Sequence, residues 1–107
     1  MAQLIKYTTV AFANELVMND VINHCDDTSK VWGPAMKKRG LTRWVLTRIW
    51  NKGETFKVGI LFEYDSKEAF EANIQYLAES FSNLPKTKEL MMMAKVEGNR
   101  GIAVLEV

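Results

Sequence analysis

The sequence predicts an α+β fold in which an antiparallel sheet carries two helices on one face. Three observations predict it. Two alternating segments, Leu41–Trp50 and Thr55–Tyr64, flank the turn signal Asn51-Lys52-Gly53-Glu54, which marks a β-hairpin. An N-cap signal, Asp65-Ser66-Lys67-Glu68, follows at once, with a carboxylate placed to complete a capping box. Phe70, Ile74, Leu77 and Phe81 then recur at helical spacing.

The remaining elements fall around this unit. Residues 3–12, QLIKYTTVAF, are rich in β-branched and aromatic types and read as the first strand. Residues 14–39 read as helix, with Met18, Ile22, Cys25, Ser29, Trp32 and Met36 as one apolar stripe. Gly33-Pro34 should kink this helix or divide it in two, because proline lacks a backbone donor and clashes with the preceding turn. Asp26-Asp27-Thr28 offers a second N-cap. Lys37-Lys38-Arg39 suits the negative end of the helix, and Gly40 suits a left-handed C-cap. The second helix is expected at about 66–82, ending before Pro85. From Leu90 a strand, a Gly98-Asn99-Arg100-Gly101 turn and a last strand Ile102–Val107 are expected. The order β-α-β-β-α-β is the ferredoxin-like arrangement, read as a single domain over 1–107.

Placing Lys52-Gly53 at the centre of the hairpin turn sets Trp44 against Leu61, Leu46 against Gly59 and Arg48 against Lys57. The alternate set, Val45, Thr47 and Ile49 with Ile60, Val58 and Phe56, is then the face under the helices. Trp44, Arg48, Leu61 and Glu63 share the other face.

Composition narrows the function classes. Apolar residues make up 48% of the chain, with three Trp, five Phe and six Met, more than a core of this size needs. A second subunit or a pocket is expected to take up the excess. The 14 basic and 13 acidic residues give a net charge of +1, which argues against a nucleic-acid field. One cysteine permits no internal disulfide and favours a reducing, cytoplasmic setting. The N-terminus shows no signal-peptide pattern, and no apolar run reaches the roughly 20 residues that span a bilayer.

Gly40-Leu41 leading into Arg43-Trp44, the strand LFEY at 61–64 and the helix SKEAFEANIQYL at 66–77 resemble the dimeric α+β barrel superfamily, in particular its antibiotic-biosynthesis-monooxygenase-like members. The resemblance implies a homodimer whose two sheets meet face to face, the lumen lined by the side away from the helices. It places Trp44, Arg48, Glu63, Leu61 and Tyr7 in that lumen, with Gly59 leaving room for a planar ligand. It implies cofactor-independent, monooxygenase-like chemistry on a small aromatic or enolic compound. Arg48 would stabilise an oxyanion, Glu63 would accept a proton, and Trp44 would stack on the substrate. A non-catalytic small-molecule-binding or structural dimer is the alternative.

Each candidate also has a structural reading. Arg48 and Glu63 can form an ion pair within the sheet or between subunits, which is the commoner use of such residues. Trp44 and Trp50 can be interface anchors. His24 and Cys25 are neighbours on a helix, a quarter-turn apart, and make neither a chelate nor a nucleophile–base pair, so no metal site is expected. Met91-Met92-Met93 is read as core or interface. An RNA-recognition module shares this element order but needs aromatics on the exposed face of its third strand, and here they fall on the helix side.

Overall fold

The computed structural model describes residues 3–51, 53, 55–80 and 84–107. The elements are β1 (Leu4–Phe12), α1 (Glu15–Lys37), β2 (Leu41–Arg48), β3 (Phe56–Tyr64), α2 (Lys67–Ser80), α3 (Pro85–Met92) and β4 (Ala94–Ile102). The four strands form one antiparallel sheet in the order β2-β3-β1-β4. The chain is a ferredoxin-like α+β fold with one helix more than expected.

The helices cover one face. Trp32 and Met36 of α1 and Ala69 and Phe70 of α2 pack on Leu4, Leu41, Phe62 and Tyr64. Further along the sheet, Met18 of α1 packs on Val10, Phe12 and Val58. A ladder of edge-on and stacked rings runs through this core from Trp32 to Trp44, Phe62, Tyr64 and Phe70. Edge-to-face ring pairs add to the burial energy of the rings. The first strand forms as read, and its residues alternate: Leu4, Thr8, Val10 and Phe12 are buried beneath the helices.

Several expectations need correction. The first helix is one helix from Glu15 to Lys37, with Pro34 inside its last turn. A proline there removes only the one backbone bond to the Lys30 carbonyl, and the helix has a single turn left to run. Its N-cap is Asn14, whose side-chain oxygen accepts from Val17 N at 2.9 Å. Thr28 caps nothing; its hydroxyl donates to the His24 carbonyl one turn back, at 2.7 Å. In α2 the cap is Ser66, whose Oγ accepts from Ala69 N at 3.1 Å. Glu68 is thereby one position short of closing a capping box. Phe81 lies outside the described residues.

The segment after Pro85 is not a plain connection to a strand. Pro85 opens α3, where its missing N–H costs nothing. The expected Gly98–Gly101 turn is the middle of the continuous strand β4. Neither glycine there has the positive φ that a tight turn would require, whereas Gly40 does, at +97°. The strand expected over Ile102–Val107 ends at Ile102.

The largest correction is the hairpin register. Leu41 pairs with Tyr64, but the next pair is Arg43 with Glu63, so β2 carries one extra residue at Thr42. The Thr42 hydroxyl donates to the Glu63 carbonyl at 3.0 Å and fastens this β-bulge. Beyond it, Trp44 opposes Phe62, Leu46 opposes Ile60 and Arg48 opposes Val58. A shift of one residue sends every β2 side chain to the other face. Trp44, Leu46 and Arg48 therefore lie on the helix side. Val45 and Thr47 lie on the open side, with Leu61 and Gly59. Of the intended turn, Gly53 adopts φ +63°, and Lys52 and Glu54 lie outside the described residues.

Candidate functional site

The same one-residue shift decides what converges. Arg48 and Glu63 do not. Arg48 is exposed, and its Nη2 donates to Asn19 Oδ1 at 2.8 Å. Glu63 is half-buried on the opposite face, between Ile5 and Arg43 in register. Tyr7, Gly59, Leu61 and Glu63 do come together, on the open face. There the Tyr7 hydroxyl leans over Gly59: a Cβ built on that glycine would meet it at 2.8 Å, and Thr47 Oγ1 at 3.0 Å. Glycine at 59 thus makes room for a side chain of its own chain.

Trp44 lies elsewhere, in a cavity of about 660 Å³ between the sheet and the helices. Its floor is the helix face of all four strands, with Lys6, Thr8 and Val10 of β1, Trp44 of β2, Val58, Ile60 and Phe62 of β3 and Val96 of β4. Its roof comes from α1, α2 and α3. A space of this size and apolar character suits a small organic ligand. Trp32 and Trp44 meet edge-on at one wall, ring centroids 4.8 Å apart and planes 68° apart. The Trp32 indole donates to Thr28 Oγ1 at 3.0 Å, which fixes the ring from behind. The third helix is joined to the first by a 2.8 Å hydrogen bond between His24 Nε2 and Thr87 Oγ1. Thr87, Lys88 and Met91 of the third helix line the cavity.

The polar groups of the cavity are few and of one kind. Its charged wall residues, Lys6 and Lys88, are both cations, and no carboxylate or imidazole lies among the lining residues. Lys6 Nζ sits 5.1 Å above the Phe62 ring, a cation–π contact. Burial, and then the nearby Arg100 cation, hold the Lys6 ammonium below its usual pKa. Thr8 is buried, and its hydroxyl has no hydrogen-bond partner among the described residues. Cys25 also lines the space; burial pushes its thiol up, so it stays protonated and a poor nucleophile. Among the described residues no group of three or more His, Cys, Asp or Glu could hold a metal, and no helix is long and apolar enough to cross a membrane.

Of the residues proposed from sequence for catalysis or substrate binding, only Trp44 reaches this cavity. Lys6, Thr8, Trp32, Thr87 and Lys88 were missed as site residues. A signal for Lys6 was present: strict alternation through residues 3–12 places it with Leu4, Thr8 and Val10, so a charge stands in a row of core residues.

An antiparallel sheet with helices on one face and an apolar chamber between the layers defines a ferredoxin-like small-molecule-sized scaffold. The chain belongs to a domain family of unknown function, DUF6974, whose model matches residues 1–103. A dimeric ferredoxin-like protein from an uncultured marine organism is 37% identical, each chain covers 100% of the other, and the TM-score is 0.97. A second dimeric ferredoxin-like protein from an uncultured marine organism is 24% identical with a TM-score of 0.89, over 100% of this chain and 92% of that one. A monooxygenase from the gene ActVA-Orf6 of Streptomyces coelicolor, solved with the ligand Nanaomycin D, has a TM-score of 0.70 at 8% identity, over 99% of this chain and 91% of that one. At that identity the likeness is one of fold. No curated protein matches.

Proposed function

We propose that this protein binds a flat aromatic or enolic small molecule in the cavity between sheet and helices. We further propose that it acts on this molecule as a cofactor-independent, monooxygenase-like enzyme. The observation that carries the reading is the chamber itself, about 660 Å³, with Trp32 and Trp44 forming one wall. The indoles offer aromatic contact, and the apolar walls give a reactive anion a less polar setting than bulk water. In the reaction such a site suits, a ring methylene becomes a carbonyl: one atom of dioxygen enters the carbon, and the other leaves as water with the two displaced hydrogens. The Lys6 ammonium stabilises the negative charge that develops on the substrate oxygen.

The open sheet face, with Tyr7, Gly59, Leu61 and Glu63, is proposed to be covered by a second copy of the chain. Tyr7 is 42% exposed there, beside half-buried Leu61 and Val45, and two similar structures are described as dimeric. Arg48 and Glu63 have no joint role in this reading, because they stand on opposite sides of the sheet. A reducing, cytoplasmic setting accords with the free thiol of Cys25.

A binder without turnover is the second reading. It is favoured by the lack of a carboxylate or imidazole proton acceptor among the lining residues. Oxygen uptake with anthrone- or quinol-like compounds separates the two. Turnover in the wild type that falls at least tenfold in Trp44→Ala and Lys6→Met supports the enzyme. Uptake equal to buffer, with ligand binding intact, leaves the binder.

A further inference from the structure

We propose that Lys6 and Thr8, which line the cavity, together with exposed Arg100, the neighbour of Lys6 across the β1–β4 ladder, form a carboxylate-binding corner at the cavity's rim, so that the ligand is an aromatic acid rather than a neutral aromatic compound. This rests on the cavity reading above and narrows it.

Four residues on two adjacent strands make the corner. Lys6 opposes Arg100 in the β1–β4 register, and Thr8 opposes Gly98. All four are on the helix side. Two cations directly opposite one another on a sheet destabilise it unless something neutralises them. Among the described residues, the charge that acts on Lys6 is that of the second cation, Arg100. Both lie over rings, Lys6 above Phe62 at 5.1 Å and Arg100 above Phe70 at 4.9 Å. Lys88, across the cavity on α3, adds a third positive charge.

Thr8 gives a second, independent sign. Its residue is 7% exposed and its Oγ1 has no partner among the described residues. A buried hydroxyl without a partner costs free energy, and Thr8 stands on the same face as Lys6, two residues along the strand, where a ligand acceptor that reached its hydroxyl would satisfy it. Gly98 keeps the place open: a Cβ built there would meet only Thr8 Oγ1, at 3.9 Å. A carboxylate is small and planar, accepts several hydrogen bonds, and meets an arginine in a bidentate fork. Its ring would extend along the floor toward Trp44. A free inorganic anion would satisfy the cations but leave the apolar floor unused.

Titration calorimetry of the full chain with 2-naphthoate and with 2-naphthamide, its neutral counterpart of equal shape, tests this. The wild type should bind the acid at least tenfold more tightly than the amide. Lys6→Met and Arg100→Gln should each abolish most of that preference while leaving amide binding in place, and Thr8→Val should reduce it by a smaller factor. Arg100 lies on an exposed edge strand, so its variant keeps the test available should Lys6→Met fail to fold. Equal binding of acid and amide by the wild type would overturn the carboxylate corner while leaving the cavity reading intact. Binding of neither would overturn both.

Discussion

One sheet presents two faces made for different work. On the helix side, Val10, Phe62 and Tyr64 lie beneath α1 and α2, and the space left beneath α3 is a chamber with a cationic corner. On the open side, Tyr7, Val45 and Leu61 stand among Lys57, Glu63, Lys95 and Glu97, on the face away from the described helices. The helix side is closed by residues distant in sequence and holds its charges in excess of one sign. The open side mixes charges of both signs around a small apolar centre, as an interface between proteins does. In the proposed reading ligand and partner take separate sides, so each can be disturbed without the other.

The comparison breaks most visibly at Phe70. It is buried edge-on against Tyr64, and Phe70→Ala should cost about 3–5 kcal/mol in urea denaturation. A loss below about 0.5 kcal/mol would mean that α2 is not part of the core. On the open side the corresponding change is Leu61→Glu. It should leave far-ultraviolet circular dichroism unchanged and shift light scattering at micromolar concentration from dimer to monomer. An unaltered mass would remove the second copy from this face.

Smaller effects sharpen the contrast. Lys6→Met should raise stability by about 1 kcal/mol, since it removes a half-buried cation beside another; functional groups often carry such a cost. The sign with pH follows. The folded Lys6 releases its proton below 10.5, where the unfolded chain still holds one, so wild-type stability rises with pH across that window. The Met variant should lack that rise in thermal melts at alkaline pH. Arg48→Ala, an exposed change at the sheet edge, should stay within about 0.5 kcal/mol of the wild type.

Much of the fold was legible in the sequence, because periodicity reports which side of an element is buried. The alternation of β1 and β3 and the Met18–Met36 stripe of α1 identify the helix-facing surface correctly. The site was less legible, for reasons that are local. A bulge needs one extra residue and no special side chain, so nothing in Leu41-Thr42-Arg43 announces it, yet it exchanges the faces of Trp44 and Val45. Pro85 reads equally as the end of one helix and the start of another. Two glycines in Gly98-Asn99-Arg100-Gly101 imitate a turn, but on an edge strand a bare backbone is tolerated, and here it leaves space beside Thr8. The cavity belongs to the spacing between layers, which no single segment encodes.

The Trp32–Trp44 pair has an optical consequence. Two indoles with centroids 4.8 Å apart and planes 68° apart cannot absorb independently. Their transition dipoles couple, and the coupled excitation appears in circular dichroism as a pair of bands of opposite sign. Trp50, 89% exposed near the hairpin tip, stands apart from that pair and adds an uncoupled absorption. A guest that turns or separates the two cavity indoles by a fraction of an ångström changes the couplet without touching the Trp50 band. The protein therefore contains its own gauge of the chamber, readable without a label.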